Sequence, residues 1–568
     1  MKISINSIWS CFCLLLLGCV ACTTNNVENQ ITFKQVDPLT KVFRESNFFP
    51  EFTSPAEVAA GESATFQFAL RAGIPLKDLC LEVTKFENEK GQVFNDSYFG
   101  FVDYVKAERL INNRSKDAYS PLSAYYPDPI IEKQHWDVER DVAQPLWLTA
   151  QVPASAQPGN YKATFVLSGK LAGESFRLTK EVAIKVYPVV MQEPDLWVTN
   201  WFTTSPSTLK VLNGNKDVEP YSEAYWKMIK EIADKLKLCH SNTILISPFE
   251  HITCKKEGDK YTFDFTNFDK FAGLFHEVGA LKMIEGGHIA SKKDNKGQFQ
   301  LHLPKFDGKG TVEQRPLDDP ETKDFYQQFF PAFYKHIKEV FPEVMYSQHI
   351  GDEPTDKNVA SYIDIAKFIK GLCPDIKLID ACLSHKLNNI LDIWVPEFDG
   401  YCAQQEFYDN RKKEGDEVWF YTCLNPQGEY ANRFLELPLL KTRVIHWLNF
   451  KYDCKGYLHW GFNWWNQNPY GETTIIFEWD DGNVGPGGDP WIIYPDNGKV
   501  YGSIRLEAMR DGIADYTLLR MLEKKKPEVA KELCRLVAYT KNHYDIERDH
   551  FRMIRRTILE ELSKPDKK

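Results

Sequence analysis

The sequence has no excess of positive charge. Its 568 residues carry 69 Lys and Arg against 79 Asp and Glu, which gives a formal net charge of −10 at pH 7. Nucleic-acid binding proteins hold phosphates with clustered Lys and Arg, so a chain of this charge is not expected to bind nucleic acid.

Beyond the N-terminus, the sequence also lacks paired cysteine motifs and long apolar runs. Nine of the 13 cysteines follow Cys22, and none of the nine forms a C-x-x-C pair. The sequence therefore indicates neither a zinc site nor a disulfide framework, and we expect no metal and no cofactor. Beyond the N-terminus, no stretch reaches the ~18 apolar residues that a transmembrane helix needs.

The composition is that of a folded chain rich in aromatic rings. Hydrophobic residues make up 43%, charged residues 26% and aromatic residues 14% of the sequence. This length predicts two to four domains, or fewer if one is a large barrel. Flat rings beside polar groups suit sugars and other amphipathic ligands, although most rings in a large protein fill cores.

The first 22 residues resemble a bacterial export signal. Lys2 precedes a short apolar run that ends in Leu16-Leu17-Gly18-Cys19, which is similar to a lipobox, with Val20-Ala21-Cys22 as a second candidate. This resemblance implies a lipid anchor on Cys19 (or Cys22) and a tether over residues 23–39. We expect an exported lipoprotein that is anchored to the membrane and faces the periplasm or the cell surface.

Residues 40–190 predict a β-sandwich. Apolar and polar residues alternate with period two in segments such as 64–70, 146–152 and 176–187, and turn residues separate these segments. The stretch from Arg109 to Asp141 fits no strand pattern and is predicted to be a long loop.

Residues 191–525 predict a (β/α)8 barrel of the TIM type, and residues 526–568 predict closing helices. Helical segments follow the predicted strands, which is the element count of that fold. The competing doubly wound sheet lacks support, because no Gly-rich phosphate turn follows any strand. The predicted strands are 196–202, 243–247, 281–285, 344–350, 377–381, 393–396, 417–424 and 456–464.

Two adjacent carboxylates follow the fourth predicted strand. Gly351-Asp352-Glu353-Pro354 places them at the carboxyl end of a barrel strand, where such enzymes carry their chemistry. Neighbouring side chains on an ideal strand point to opposite faces, so both reach one pocket only if the backbone departs from strand geometry. The alternative is a surface pair in the N-terminal turn of the next helix.

Polar and aromatic residues follow most of the other predicted strands. The eighth strand ends in rings interleaved with His and Asn, as a sugar site requires, although aromatic core packing is the alternative. Arg505, on the helix that starts near Ser503, either reaches the pocket or locks the helix to the barrel. The predicted substrate-binding residues are Asn200, His288, Tyr401, Tyr421, His459, Trp460, Asn463, Trp464, Trp465 and Arg505.

Together, the Asp352-Glu353 turn, the Trp460–Trp465 cluster and the Ser503–Tyr516 helix resemble glycoside hydrolase family 123 and its barrel-domain relatives. The resemblance implies a retaining β-N-acetylgalactosaminidase that uses the 2-acetamido group of its substrate as nucleophile. It further implies that Asp352 orients the acetamido nitrogen and that Glu353 is the general acid/base. The implied partner is a glycan or glycolipid bearing a β-linked N-acetylhexosamine.

The residues leave two other functions open. In an ordinary retaining glycosidase, Glu353 is the acid and a second Glu (Glu285, Glu250 or Glu397) is the nucleophile, on sugars without an acetamido group. In a non-catalytic glycan-binding surface lipoprotein, the Trp cluster alone carries the function, and the carboxylate pair is not needed.

Overall fold

The computed structural model describes residues 27–565 except 109–110, 112, 294–296, 307–310, 475 and 478–482. The predicted signal peptide and both candidate anchor cysteines therefore lie outside the described residues. Within the described part, no helix has the length and hydropathy needed to cross a membrane. The nine cysteines of this part are all free thiols, and five of them are buried.

An N-terminal β-sandwich precedes the barrel, as predicted. Alternating apolar side chains from its two sheets form the core, where Phe68 and Phe165 stack with ring centroids 4.2 Å apart. In sheet order, the first sheet contains Ile31–Val36, Ser63–Ala72, Gln144–Gln151, Ser97–Lys106 and Tyr125–Ile131. The second contains Ala56–Ala60, Glu174–Val190, Gly159–Leu171, Leu76–Val83 and Trp136–Val138, with Phe86–Asn88 and Val93–Phe94 at its side.

Two predictions about this domain are wrong. Ile31–Val36 pairs antiparallel with Ser63–Ala72, so part of the predicted 23–39 tether is a strand of the sandwich, which starts earlier than residue 40. The predicted loop from Arg109 to Asp141 contains the strands Tyr125–Ile131 and Trp136–Val138. Prolines at 127 and 129 broke the strand pattern there, but an edge strand tolerates proline.

The barrel consists of eight parallel strand positions, and the seventh is split in two. Glu417–Val418 pairs with the sixth strand and Phe420–Thr422 with the eighth, so the barrel is nearly closed, with Trp419 between the two segments. In chain order the described strands are Trp197–Asn200, Thr243–Ile246, Met283–Gly286, Met345–Gln348, Lys377–Ala381, Ile393–Val395, the split pair, and Gly456–His459.

Helices surround the barrel and continue into the C-terminal part of the chain. Between the fifth and sixth barrel strands lies a short 3-10 turn, His385–Leu387. The helices are Pro206–Leu212, Glu223–Leu238, Thr266–Glu277, Pro320–Val340, Val359–Leu372, Phe398–Ala403, Gln405–Glu414, Leu439–Lys451, Ile504–Lys525, Pro527–Val537 and Arg548–Ser563. The described loops contain three short two-stranded sheets: Thr253–Glu257 with Lys260–Asp264, Ile476–Phe477 with Asn483–Val484, and Tyr494–Asp496 with Lys499–Tyr501. They also contain a three-stranded sheet of Ala290–Ser291, Gln300–Pro304 and Val312–Arg315.

One face of the sandwich packs into the apolar core of the barrel domain. Val102 and Tyr126 of the sandwich belong to the same buried cluster as the barrel helices. Pro129 also forms a backbone bridge with Ser503, the N-cap of the helix Ile504–Lys525. The sandwich thus packs directly on the barrel domain.

Candidate active site

The turn that carries Asp352 and Glu353 departs from strand geometry. Glu353 has a φ of +46°, in the left-handed region that residues other than glycine rarely adopt. Gly351 is required here, since a Cβ on it would lie 2.5 Å from the ring of Phe299. This departure is the condition under which both carboxylates serve one site, and strained backbone of this kind concentrates at functional sites.

Tyr421 binds the carboxylate of Glu353. Its hydroxyl donates to Glu353 Oε1 at 2.6 Å from the end of the seventh strand. Glu353 is half-buried, whereas Asp352 is exposed. Burial and the neighbouring charge of Asp352 raise the pKa of Glu353, while the Tyr421 hydrogen bond partly opposes the rise. A carboxyl group with a raised pKa suits a general acid.

Lys292 fixes the backbone of the same turn. Its ammonium group donates to the carbonyl oxygens of Asp352 at 2.8 Å and of Glu353 at 2.7 Å. Sequence reasoning missed this residue, because Lys292 lies in an excursion after the third strand with no motif around it.

A buried, hydrogen-bonded chain of charged groups lies next to the turn that carries Asp352 and Glu353. His349 Nδ1 lies 2.6 Å from Asp380 Oδ1, and its Nε2 lies 2.6 Å from Glu285 Oε1. All three side chains are fully buried. Although burial disfavours an imidazolium, Asp380 and Glu285 raise the pKa of His349 to about 10. The predicted residue His288 is half-buried beside this group, with Nε2 3.5 Å from Asp380 Oδ1.

His288, His349 and Asp380 bring potential ligand atoms within 4.8 Å of one another. Ligands of one tetrahedral Zn²⁺ with bonds of ~2.0–2.1 Å stand about 3.3 Å apart. The 2.6 Å separation of His349 and Asp380 is instead a hydrogen-bond distance, and Glu285 occupies the second ring nitrogen. The arrangement fits a hydrogen-bonded chain rather than a metal centre.

The three alternative nucleophiles occupy different environments. Glu285 is fully buried and accepts hydrogen bonds from Thr199 and Trp201 in addition to its contact with His349, so it is not free to attack a sugar. The side chain of Glu250 is 53% exposed. Glu397 is half-buried at the end of the sixth strand, where burial and the charges of Asp399 and Glu353 raise its pKa to about 7.

The tryptophan cluster divides between surface and core. Trp464 is 43% exposed, and its ring centroid lies 6.0 Å from that of the half-buried Trp460, whose indole donates to Asp489. Trp465 is buried and donates to the carbonyl of Ile493. Trp464 thus presents a partly exposed ring beside Trp460, and a sugar-binding role for these two residues stays a prediction, whereas Trp465 is a core residue.

Five predicted binding residues are corrected along with Trp465, because their side chains are buried inside the protein. Asn200 binds Ser241 and Arg433, and Asn463 binds both backbone groups of Thr203. The hydroxyl of Tyr401 contacts Asp409 in the helical layer, and His459 is fully buried beside Asp489. Arg505 is the fifth.

Arg505 joins the barrel to the sandwich. Its guanidinium forms a bidentate pair with Asp128 at 2.9 and 2.7 Å and also donates to the carbonyls of Arg433, Gly488 and Trp491. Both members of the pair are fully buried. Of the two roles that the sequence left open for Arg505, these contacts support the lock between helix and barrel.

Replacing Arg505 by Gln should therefore destabilise the fold without altering substrate affinity. Loss of one partner leaves Asp128 charged and buried, which typically costs about 3–5 kcal/mol. Thermal unfolding measures the loss, and the KM of the folded fraction should equal that of the parent. A stable variant with a raised KM would restore the substrate-binding role.

The same comparison separates the tryptophans. Trp465→Ala should lower the free energy of unfolding by about 3–5 kcal/mol, as truncation of a core aromatic does. Trp464→Ala should leave stability nearly unchanged and raise KM, since its ring is partly exposed. Thermal unfolding set beside KM tests both, and a stable Trp465→Ala protein would contradict the core assignment.

A cavity of about 580 Å³ lies elsewhere, between the sandwich and the C-terminal helices. Its walls include Arg443, Arg510 and Arg555, whose guanidinium groups pair with the carboxylates of Asp515, Glu507 and Glu62 respectively. Because these arginines are already paired, the cavity is a seam between domains, and the strand ends around Glu353 remain the candidate site.

Comparisons with known proteins identify the family of both domains. A model described as the catalytic domain of glycoside hydrolase 123 matches residues 208–522, and one for the glycoside hydrolase 123 N-terminal domain matches residues 53–169. No curated protein matches the chain.

Among solved structures, a family 123 glycoside hydrolase from Clostridium perfringens, studied for glycolipid glycan hydrolysis, is similar in fold. It is 16% identical, with a TM-score of 0.70 over 94% of this chain and 97% of that chain. A β-glucuronidase from Parabacteroides merdae is 10% identical over 86% of this chain and 52% of that chain; its TM-score of 0.30 supports no inference.

Proposed function

The chain belongs to glycoside hydrolase family 123, and we propose that it releases terminal β-linked N-acetylgalactosamine with retention of configuration. In this proposal the 2-acetamido group of the substrate is the nucleophile. The substrate is a glycan or glycolipid that ends in a β-linked N-acetylhexosamine.

The observation that carries the mechanism is the origin of both carboxylates in one turn. A conventional retaining site places two carboxyl groups ~5–5.5 Å apart on opposite sides of the anomeric carbon. Adjacent residues are a poor source of that pair. They suit a site in which one carboxyl group serves the leaving oxygen and the other serves the acetamido group of the same sugar.

Each residue has a defined task in the first step. The acetamido oxygen attacks C1 while the C1–O bond to the leaving group breaks, and Glu353 gives its proton to the departing oxygen. Asp352 accepts a hydrogen bond from the acetamido N–H and offsets the positive charge of the cyclised intermediate. Tyr421 holds the Glu353 carboxyl group in place through its 2.6 Å hydrogen bond.

In the second step, Glu353 works as a base. Its carboxylate removes a proton from water as the water oxygen attacks C1 and the oxazoline ring opens, which restores the acetamido group and the β configuration. The half-buried setting of Glu353 serves both steps, because burial raises its pKa, so that the carboxyl group holds a proton for the first step and takes one back in the second.

Glu397 supports a second candidate, an ordinary retaining glycosidase. It is the half-buried member of the three alternatives, and its charge acts on the same region as that of Glu353. Its raised pKa disfavours the ionised form that a nucleophile needs. Glu397→Gln should therefore keep most of the activity if the acetamido group is the nucleophile.

The test of the proposed function is a panel of aryl β-glycosides of N-acetylgalactosamine, N-acetylglucosamine and galactose, with the chain lacking residues 1–22. The proposal expects turnover of the N-acetylgalactosaminide and none of the plain galactoside. Turnover of the galactoside, abolished in Glu397→Gln, would establish the second candidate. Binding without turnover of any glycoside would leave the non-catalytic glycan-binding protein.

Export and anchoring remain a proposal from the sequence. We propose that residues 1–22 direct export and that Cys19 (or Cys22) carries the lipid. Cys19→Ser should release the protein from the membrane fraction, and if it does not, Cys22→Ser should. Retention of both single variants and of the double variant would contradict a lipid anchor on either cysteine.

A further inference from the structure

We propose that His349, clamped between Glu285 and Asp380, is a positioning residue that sets both the carboxylate turn and a tryptophan, Trp201, on the floor of the site. The inference rests on the proposed function, because it names what holds the acid in place. His349 does not touch the reacting atoms; it acts through its two carboxylate partners.

The first arm runs from Asp380 to the turn. Asp380 Oδ2 accepts the backbone N–H groups of Ile350 at 2.9 Å and Gly351 at 3.4 Å, immediately before Asp352 and Glu353. The hydroxyl of Tyr362 donates to the same oxygen. The other oxygen, Oδ1, lies 2.6 Å from His349. The orientation of Asp380, and with it the position of the turn, therefore depends on His349.

The second arm runs from Glu285 to Trp201. The Trp201 indole donates to Glu285 Oε1 at 3.1 Å, and this is the oxygen that also lies 2.6 Å from His349. Trp201 follows the first barrel strand and packs against the apolar cluster that contains Tyr421, the residue that holds Glu353. Its ring meets His288 and His349 edge-on, at centroid distances of 5.6 Å each.

Fold stability alone does not account for this arrangement. Barrel interiors are usually filled with branched aliphatic side chains, and a buried ionised group is expensive unless it is fully paired. Here a cation and two carboxylates are buried together, with donors from Thr199, Trp201 and Tyr362 satisfying the remaining oxygens. The His349 imidazolium thus fixes the position of both the carboxylate turn and the Trp201 ring, through Asp380 and Glu285 respectively.

The experiment compares His349→Gln and Trp201→Phe with the parent and with His336→Gln. The control breaks another His–Asp contact, His336 to Asp269 at 2.7 Å, between two helices outside the barrel. Kinetic constants are expressed per folded molecule, as determined by circular dichroism and thermal unfolding.

We expect His349→Gln to lower kcat about 100-fold, the order of loss that a displacement of about 1 Å produces. Trp201→Phe keeps a ring but loses the N–H, so we expect KM to rise several-fold with a smaller change in kcat. His336→Gln should have parental constants. Parental kcat and KM per folded molecule in both test variants would overturn the proposal.

Selective ¹⁵N labelling of histidine supplies a readout that does not depend on activity. A clamped imidazolium keeps protons on both nitrogens at neutral pH, and its signals should be absent from the spectrum of His349→Gln. If His349→Gln fails to fold, the test uses the spectrum of the parent and the kinetics of Trp201→Phe. A neutral His349 in the parent, or a KM of Trp201→Phe equal to that of the parent, would overturn the proposal. Failure of the proposed function is seen separately, because the parent would then not turn over the N-acetylgalactosaminide. In that case the kcat and KM of each variant are compared with those of the parent on the glycoside that the parent cleaves.

Discussion

Glu353→Gln should strongly slow the cleavage of natural linkages while sparing the first step on activated ones. The amide has no proton to give, so a sugar leaving group departs as an alkoxide, and we expect a loss of about 10²–10⁴-fold in kcat/KM. A dinitrophenyl leaving group departs without protonation, so its first step should be nearly parental. Plotting log kcat/KM against leaving-group pKa measures the difference, and a uniform loss across the series would contradict the acid role.

The pH profile provides a second check on Glu353. The protonated form is needed as acid, so activity is present below the pKa of Glu353 and falls as pH rises through it. Because burial and Asp352 raise this pKa, the alkaline limb of kcat/KM should lie above the usual range of a Glu side chain. Asp352→Asn removes the charge that contributes to the rise, so in that variant the limb should move to lower pH.

Asp352→Asn should lose activity with every leaving group. The charge of Asp352 is proposed to orient the acetamido group and to offset the positive charge of the cyclised intermediate, a contact worth about 10²–10³-fold in rate. A thiazoline that mimics this intermediate should bind the parent tightly and this variant poorly, because catalysis is differential binding. Inhibition constants measured beside the kinetics test both statements.

Asp356→Asn is the matched control for Asp352. Asp356 lies four residues further along the chain, is exposed, and pairs with Lys386 at 3.2 Å. Its variant should retain parental rates and thiazoline affinity. Equal losses in both variants would mean that net charge near the turn, rather than the specific carboxylate, governs the reaction.

The sequence predicted the architecture well because its signals are long. Period-two alternation and strand–helix alternation extend over many residues, and both survive local errors. The errors fell where context overrides pattern: Ile31–Val36 is a strand only because Ser63–Ala72 pairs with it, and Tyr125–Ile131 is a strand despite two prolines.

The site was predicted less well because a strand end does not reveal which of two neighbouring residues faces inward. Trp201 and Thr199 reach Glu285, whereas Asn200 between them points to Ser241 and Arg433 on the other side. Strand alternation gives two sets of side chains, and only packing identifies the inner set. At the eighth strand, Leu458 packs inside the barrel, so His459 faces outward.

Contacts between distant segments of the chain could not be predicted from the sequence. Arg505 and Asp128 are 377 residues apart, and no local pattern announces that they form a pair. The same holds for Lys292 and the turn it binds. By contrast, the Asp352-Glu353 dipeptide between Gly351 and Pro354 was visible, because the residues that bend the backbone are its immediate neighbours.

Participation of the acetamido group is tested most directly by aryl β-glycosides of N-acetylgalactosamine whose N-acetyl methyl group carries zero, one, two or three fluorine atoms. Fluorine withdraws electrons from the carbonyl oxygen and weakens it as a nucleophile without adding much bulk. If that oxygen attacks C1, log kcat/KM should fall steeply and linearly with the number of fluorines. If kcat/KM is independent of fluorination, an enzyme carboxylate is the nucleophile and the proposed mechanism is wrong.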